Sequence, residues 1–173
     1  MRKAFFIISL LTLTTPFLVS FQTFDTNAKI KAMFVYNFTK YIEWPSSYKT
    51  GNFVIGVLGE SSLYTELQSM TQTKKAANQP FELKKFSSPA DIDQCHMLVV
   101  PREEASKIDQ VLAKVGGYST LVITEEDGLA QRGAGINFVV RNNRQKFELN
   151  KTKIEKHDLK VSSSLLSLAI VVN

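Results

Sequence analysis

Three short apolar runs, separated by segments with helical periodicity, constrain this chain more than any other feature. They lie at residues 53–58 (FVIGVL), 97–100 (MLVV) and 120–124 (TLVIT). Apolar runs of this length that end at Gly, Pro or polar residues are typical of strands buried on both faces of a parallel sheet. Parallel neighbours need crossover connections, which are usually helices. The pattern therefore predicts an α/β fold.

Helical periodicity fills the intervals around these runs. Apolar residues recur every three or four positions over residues 29–43, which predicts an amphipathic helix that ends before Pro45. Ser61 can cap the first turn of a second helix. Residues 103–115 repeat the helical spacing and stop at Gly116, so we expect a third helix there.

The C-terminal third departs from this alternation. Residues 136–140 and 146–149 are strand-like and flank Asn142 and Asn143, which tolerate the positive φ of a tight hairpin. We expect an antiparallel pair there, and a small apolar helix over residues 165–172. The predicted architecture is a three-layer α/β fold, in which helices flank a mostly parallel sheet and an antiparallel hairpin lies in the C-terminal third.

Length and composition predict one domain that needs neither a metal nor a disulfide. The chain has 173 residues, of which 44% are apolar, enough for one ordinary core. Cys95 is the single cysteine, which excludes an intramolecular disulfide and a Cys-rich zinc site. The two histidines leave little for any other metal centre. We therefore predict no metal and no cofactor.

The N-terminus predicts export from the cytoplasm. A basic start (MRK) precedes an apolar run over residues 4–13, which is the order of a secretory signal peptide. The run is too short for a spanning helix, which needs about 20 predominantly apolar residues. We assign residues 1–24 to a signal peptide, cleaved between residues 20 and 28, and residues 29–173 to a single domain. The net charge of +5 could suit nucleic acid, but an exported protein does not meet the genome. We therefore expect no nucleic-acid partner.

The sequence lacks the motifs of common enzymes. Residues 56–59 (GVLG) follow a strand but lack the G-x-G-x-x-G spacing of a dinucleotide site, so a strand-exit turn is the simpler interpretation. Cys95 and His96 are adjacent at a strand, where neighbouring side chains point to opposite faces, and they make a poor catalytic pair. Since spacing assembles no nucleophile, base and orienting group, we predict no catalytic residues and no enzymatic activity.

Two charged segments have alternative interpretations. Glu125, Glu126 and Asp127 follow the third strand and either complement the dipole of a short helix, with Thr124 and Asp127 as its capping box, or bind a cation. Residues 141–160 contain seven Lys or Arg and three acidic residues. This excess is either a solvated face or a contact for an acidic partner or an anionic membrane surface.

One longer motif resembles a known family. Residues 31–45 (KAMFVYNFTKYIEWP) resemble the opening segment of the YfiR-like bacterial periplasmic proteins. Five further blocks follow in the order of that family and end with residues 159–166 (LKVSSSLL). The resemblance implies a three-layer α/β domain that dimerises and acts in the periplasm as a non-enzymatic regulator.

The resemblance also implies partners. The best-known members restrain the periplasmic sensing part of an inner-membrane diguanylate cyclase, and an outer-membrane-linked lipoprotein can sequester them. For this chain, a membrane sensor kinase could take the place of the cyclase. Well-known members carry two disulfides, whereas Cys95 has no cysteine partner here, so disulfide-dependent tuning is not expected.

Two sets of residues are candidates for function. The first is an interface for the membrane receptor, made of N-terminal helix aromatics and hairpin basic residues: Tyr36, Phe38, Tyr41, Trp44, Arg141, Arg144 and Lys146. The aromatic residues have an alternative role in the core, since the same spacing packs a helix on a sheet. The second set would serve a small-ligand-binding module that resembles half of a periplasmic solute-binding protein, at the strand ends near Gly59, Pro101 and Glu125.

Overall fold

A mostly parallel, eight-stranded sheet forms the middle layer of the protein. The computed structural model describes residues 26–173, so the predicted signal peptide over residues 1–24 lies outside the described part. The strands are β1 (Ile42–Glu43), β2 (Phe53–Leu58), β3 (Lys75–Ala76), β4 (Gln79–Phe86), β5 (Met97–Val100), β6 (Leu121–Thr124), β7 (Ile136–Arg141), β8 (Arg144–Asn150), β9 (Lys160–Val161) and β10 (Ile170–Val172). The helices are α1 (Thr26–Tyr41), α2 (Ser62–Thr73), α3 (Ile108–Val115), α4 (Leu129–Arg132), α5 (Lys151–Glu155) and α6 (Ser163–Leu168).

The order of the strands confirms the predicted α/β architecture. The sheet runs β10-β8-β7-β6-β5-β2-β4-β3, and β4, β2, β5, β6 and β7 are mutually parallel. β7 and β8 form the antiparallel hairpin of the C-terminal third. β1 and β9 form a separate two-stranded sheet, and this pairing ends the first helix at Tyr41, two residues earlier than predicted.

Apolar side chains are buried on both faces of the central strands. Along β5, Met97 and Val99 belong to the core under α1 and α2, whereas Leu98 and Val100 belong to the core under α3. Burying one such side chain contributes about 1.5–3 kcal/mol to folding. Helices therefore cover both faces of the sheet, and the three-layer prediction is confirmed.

The hairpin between β7 and β8 turns over two residues. Asn142 and Asn143 have φ values of 52° and 55°, and Arg141 pairs with Arg144 across the turn. Asparagine adopts this left-handed region more readily than most residues, because its short polar side chain can bond locally. The tight antiparallel turn predicted from the two asparagines is confirmed.

The C-terminus differs from the prediction. α6 ends at Leu168, and residues 170–172 form β10, which lies parallel to β8. The sequence Ile-Val-Val is too short to show a period, so apolar content alone does not distinguish a helix from a strand. Backbone groups of β8 would be unpaired at the sheet edge, and pairing with β10 satisfies them.

Two helix starts also differ from the prediction. The third predicted helix begins as a 3-10 helix at Arg102–Lys107, and α3 itself starts at Ile108. α4 begins after Gly128, whose φ is 86°. The predicted capping box is wrong, because strand pairing places Asn137 opposite Thr124 and the Thr124 hydroxyl donates to Asn137 Oδ1 instead.

Cys95 lies in the core under α3 and is 1% exposed. Burial raises the pKa of its thiol to about 12. A neutral, enclosed thiol is a poor nucleophile and a poor metal ligand, since both roles require the thiolate. Cys95 is therefore a buried residue of the core in this fold.

His96 lies on the opposite side of the sheet, among aromatic residues. Its ring stacks on Phe53 with the ring centroids 4.2 Å apart. Nδ1 accepts a hydrogen bond from the Val54 N–H at 3.0 Å, so Nε2 carries the proton and donates to the Tyr48 carbonyl at 2.8 Å. Burial lowers the pKa of His96, and the ring is neutral near pH 7.

We expect the free energy of unfolding to fall as the pH decreases below 6.5, in part because of His96. Its ordinary pKa of 6.5 applies to the unfolded chain, whereas burial lowers its pKa in the folded protein. Between these two pKa values the unfolded chain binds more protons than the folded protein. The stability that neutral His96 contributes is therefore full above pH 6.5 and is lost as the pH falls toward the folded-state pKa. Urea unfolding at about pH 7.5 and about pH 5, followed by the fluorescence of Trp44, measures the difference. A His96→Gln variant serves as the control and should show a smaller decline; equal declines in both proteins would contradict this role.

Candidate functional site

The carboxyl ends of β2, β5, β6 and β7 meet at one edge of the sheet, since these strands are parallel. β2 lies between β4 and β5, so the direction of strand addition reverses between β2 and β5. Open α/β sheets bind ligands at such a switch point. A crevice of about 590 Å³ lies there, and we call it the edge crevice. Its lining residues are Lys31, Glu60, Ser61, Ser62, Arg102, Glu103 and Glu125.

The structure brings the predicted ligand-edge residues close to this crevice. Glu125 lines it. Gly59 and Pro101 lie next to it, since each directly precedes a lining residue, Glu60 or Arg102. Gly59 has a φ of 68°, and a Cβ atom at this position would lie 2.6 Å from Glu104 Oε1. The positive φ therefore favours glycine here, and a larger residue would also displace the Glu104 side chain.

Each residue of the acidic triplet, residues 125–127, pairs with a cation from a different segment. The ion pairs are Lys31–Glu125 (3.1 Å), Arg102–Glu126 (2.7 Å) and Arg141–Asp127 (3.7 Å). They connect α1, the 3-10 helix after β5 and the end of β7 to the end of β6. Side chains of the protein itself neutralise these carboxylates. Within residues 26–173, no cluster of three or more His, Cys, Asp or Glu residues is placed to hold a metal ion.

The Lys31–Glu125 pair is the least exposed of the three. Its side chains retain 18% and 12% of their accessible surface, whereas those of Arg102 and Asp127 retain more than half. Exposed ion pairs contribute about 0–1 kcal/mol, and attraction strengthens as water is excluded. The Lys31–Glu125 pair is therefore expected to be the strongest of the three, and it fixes α1 against the carboxyl edge.

A buried polar network supports the hairpin beneath this edge. Thr124 and Asn137 are fully buried, and the Thr124 hydroxyl donates to Asn137 Oδ1 at 2.8 Å. The Asn137 amide donates to Glu148 Oε2 at 3.1 Å, and Arg141 donates to Glu148 Oε1 at 3.1 Å. Strand register places Asn137 opposite both Thr124 and Glu148. Sequence reasoning missed this network, although Asn137 is the one polar residue within the apolar run INFVV.

The three basic residues predicted for the interface have different roles. Arg141 contacts Glu148 and Asp127, so it holds the hairpin against the end of β6. Arg144 and Lys146 are exposed on β8. Arg141 is thus a structural contact, whereas Arg144 and Lys146 present their charge to solvent.

The four aromatic residues predicted for the same interface do not form one surface. Phe38 is fully buried and Trp44 is 5% exposed, so both belong to the core. The Trp44 indole N–H donates to the His96 carbonyl at 3.2 Å. Tyr36 and Tyr41 are half-buried. For Phe38 and Trp44 the alternative interpretation, core packing, describes what the structure shows.

In the part of the chain that the structure describes, each histidine ring contacts a backbone carbonyl. His96 Nε2 binds the Tyr48 carbonyl, and His157 Nδ1 lies 2.8 Å from the Tyr118 carbonyl. Both rings therefore contact backbone groups rather than a nucleophilic side chain.

Among helices of residues 26–173, none is long and apolar enough to cross a membrane.

We expect Asn137→Asp to destabilise the protein by about 2 kcal/mol or more. The substitution removes the amide donor to Glu148 and places a second carboxylate beside it in a buried site. Urea unfolding followed by fluorescence measures the change. The matched control is Asn78→Asp, the same substitution at an exposed turn position, which should change stability by about 0.5 kcal/mol or less. Equal stabilities of the two variants would show that the network contributes little.

Comparison with known proteins agrees with the architecture and with the sequence motifs. A family model described as YfiR/HmsC-like matches residues 28–170. This span contains most of α1, the hairpin, the edge crevice and the buried network. No curated protein matches the chain. Since the match covers most of the sequence, the chain belongs to the YfiR/HmsC-like family.

Proposed function

We propose that this protein is a non-enzymatic periplasmic regulator that binds and restrains a membrane-bound receptor enzyme, such as a diguanylate cyclase. Its membership of the YfiR/HmsC-like family supports a regulatory role. The observation that carries the proposal is the β7–β8 hairpin, which presents Arg144 and Lys146 on a support fixed by Arg141, Glu148 and Asn137.

A rigid basic hairpin suits recognition of an acidic protein surface. Because the buried network and the Arg141 contacts hold the hairpin, little conformational entropy is lost when a partner binds it. Exposed charges at the rim of an interface steer association and select the partner. The receptor surface that meets this hairpin should therefore carry an excess of Asp and Glu.

Membership of the YfiR/HmsC-like family also suggests other partners. A sensor kinase is an alternative receptor, an outer-membrane-linked lipoprotein is a second candidate partner, and a homodimer is the expected assembly. The predicted signal peptide supports a periplasmic location. Determination of the mature N-terminus from a periplasmic fraction tests that location.

A second candidate function is the binding of a small ligand in the edge crevice. Its position at the switch point of the sheet favours this function. Its lining carries both signs of charge, with Lys31 and Arg102 beside Glu60, Glu103 and Glu125. Since Lys31 pairs with Glu125 and Arg102 pairs with Glu126, a ligand with a basic group would meet the exposed carboxylate of Glu103.

Reversal of the two exposed hairpin charges should weaken receptor binding by about tenfold or more. The variant is Arg144→Glu with Lys146→Glu, and it leaves Arg141 in place because Arg141 holds the hairpin. Biolayer interferometry with the purified periplasmic domain of a membrane-bound diguanylate cyclase from the same bacterium measures the affinity. Lys114→Glu with Lys156→Glu makes the same charge change at exposed positions elsewhere and should bind normally. Unchanged binding of the hairpin variant would refute the hairpin as the contact surface.

If the edge crevice binds a ligand, the melting temperature should rise when that ligand is added. A ligand at about 100 times its Kd stabilises the folded state by about 2.7 kcal/mol. A thermal-shift screen of amino acids and other small periplasmic metabolites is the measurement. Glu103→Lys changes an exposed lining residue and should reduce the shift. A screen with no shift, or a shift that Glu103→Lys leaves intact, counts against this second function.

A further inference from the structure

A second concave surface lies between α1 and α2, apart from the edge crevice. This groove has a volume of about 370 Å³ and shares no lining residue with the edge crevice. Its apolar part comprises Ala32, Met33 and Tyr36 of α1 and Met70 of α2. Met33 is 60% exposed, whereas Ala32 and Met70 are nearly buried. The Met33 side chain therefore projects into solvent beside a groove floor formed by Ala32 and Met70.

The rim of this groove is cationic. Lys29 and Lys74 line it, and the ammonium groups of Lys40 and Lys74 lie 4.3 Å and 4.9 Å from the centre of the Tyr36 ring. None of these three lysines pairs with a carboxylate of the described residues, in contrast to Lys31 on the same helix. Glu66 is the one acidic side chain in the lining.

We infer that this groove is the docking site of an acidic amphipathic helix from a partner protein. Methionine side chains are flexible and polarizable, so Met33 and Met70 can adapt to a large apolar side chain. A helix that lies in such a groove places apolar residues at three- and four-residue spacing on the floor. Carboxylates on the flanks of that helix would reach the rim lysines, which have no carboxylate partner among the described residues.

The charge and shape of the groove favour this occupant over two others. A second copy of the chain, docked groove to groove, would bring the rim lysines of both copies together, and like charges at an interface are unfavourable. An anionic membrane would attract the lysines, but a flat surface would not reach the floor between two helices. The inference concerns a surface separate from the hairpin and does not depend on the proposed receptor.

The test uses two synthetic helical peptides with the same Leu pattern, one with Glu and one with Lys at the polar positions. Titration into isotope-labelled protein, followed by amide NMR shifts, should show saturable changes in α1 and α2 for the Glu peptide and none for the Lys peptide. Met33→Asp and Lys74→Glu change exposed residues, and each should weaken binding of the Glu peptide by about tenfold. Lys114→Glu, on the exposed side of α3, is the matched control and should bind normally.

Three results would overturn the inference. The first is equal binding of the two peptides, or shifts outside α1 and α2. The second is no binding of either peptide, together with Met33-dependent binding to phosphatidylglycerol vesicles, which would assign the groove to a membrane surface. The third is a concentration-dependent dimer that Met33→Asp dissociates, which would assign the groove to a second copy of the chain. Light scattering of the wild type and of Met33→Asp provides that last measurement.

Discussion

Burial of the central strands on both faces is the constraint on which the rest of this structure depends. Ile55, Leu98 and Val122 have neighbours above or below the sheet in one of two cores, so the strand interiors leave no position for an exposed polar group. Parallel pairing then brings the carboxyl ends of β4, β2, β5, β6 and β7 to one edge. β2, β5 and β6 carry no charged side chain, and charged residues such as Glu60, Arg102 and Glu125 follow these strands at that edge.

The acidic triplet turns this edge into a connected surface. Each of its carboxylates binds a cation from another segment, and the pair with Lys31 is the least exposed. Asp127 and the buried Glu148 both contact Arg141, so the hairpin is fixed at two points. The basic hairpin and the edge crevice are thus parts of one framework, although the sequence patterns that indicate them are unrelated.

Sequence patterns predict those elements whose conformation depends on residues close together in the sequence. The apolar runs and the two asparagines of the hairpin are predictable, because burial on both faces and positive φ each require particular residue types. The residues that pair with Thr124 and with residues 170–172 cannot be predicted in this way, because strand pairing between separate segments determines them. Helical spacing likewise shows that Phe38 is one of several aromatic residues on a helix. It does not show that this side chain is fully buried while Tyr36 stays half-exposed.

α1 supports the hairpin with one side and lines the groove against α2 with another. Phe34 packs against Phe138 and Phe147 of the hairpin strands, with ring centroids 6.1 Å and 5.4 Å apart, while Met33 and Tyr36 line the groove against α2. The core and the Lys31–Glu125 pair hold this helix in one position. We therefore expect a partner that contacts only the hairpin to leave the groove unchanged. A partner that spans both surfaces gains affinity through effective concentration, without a conformational change.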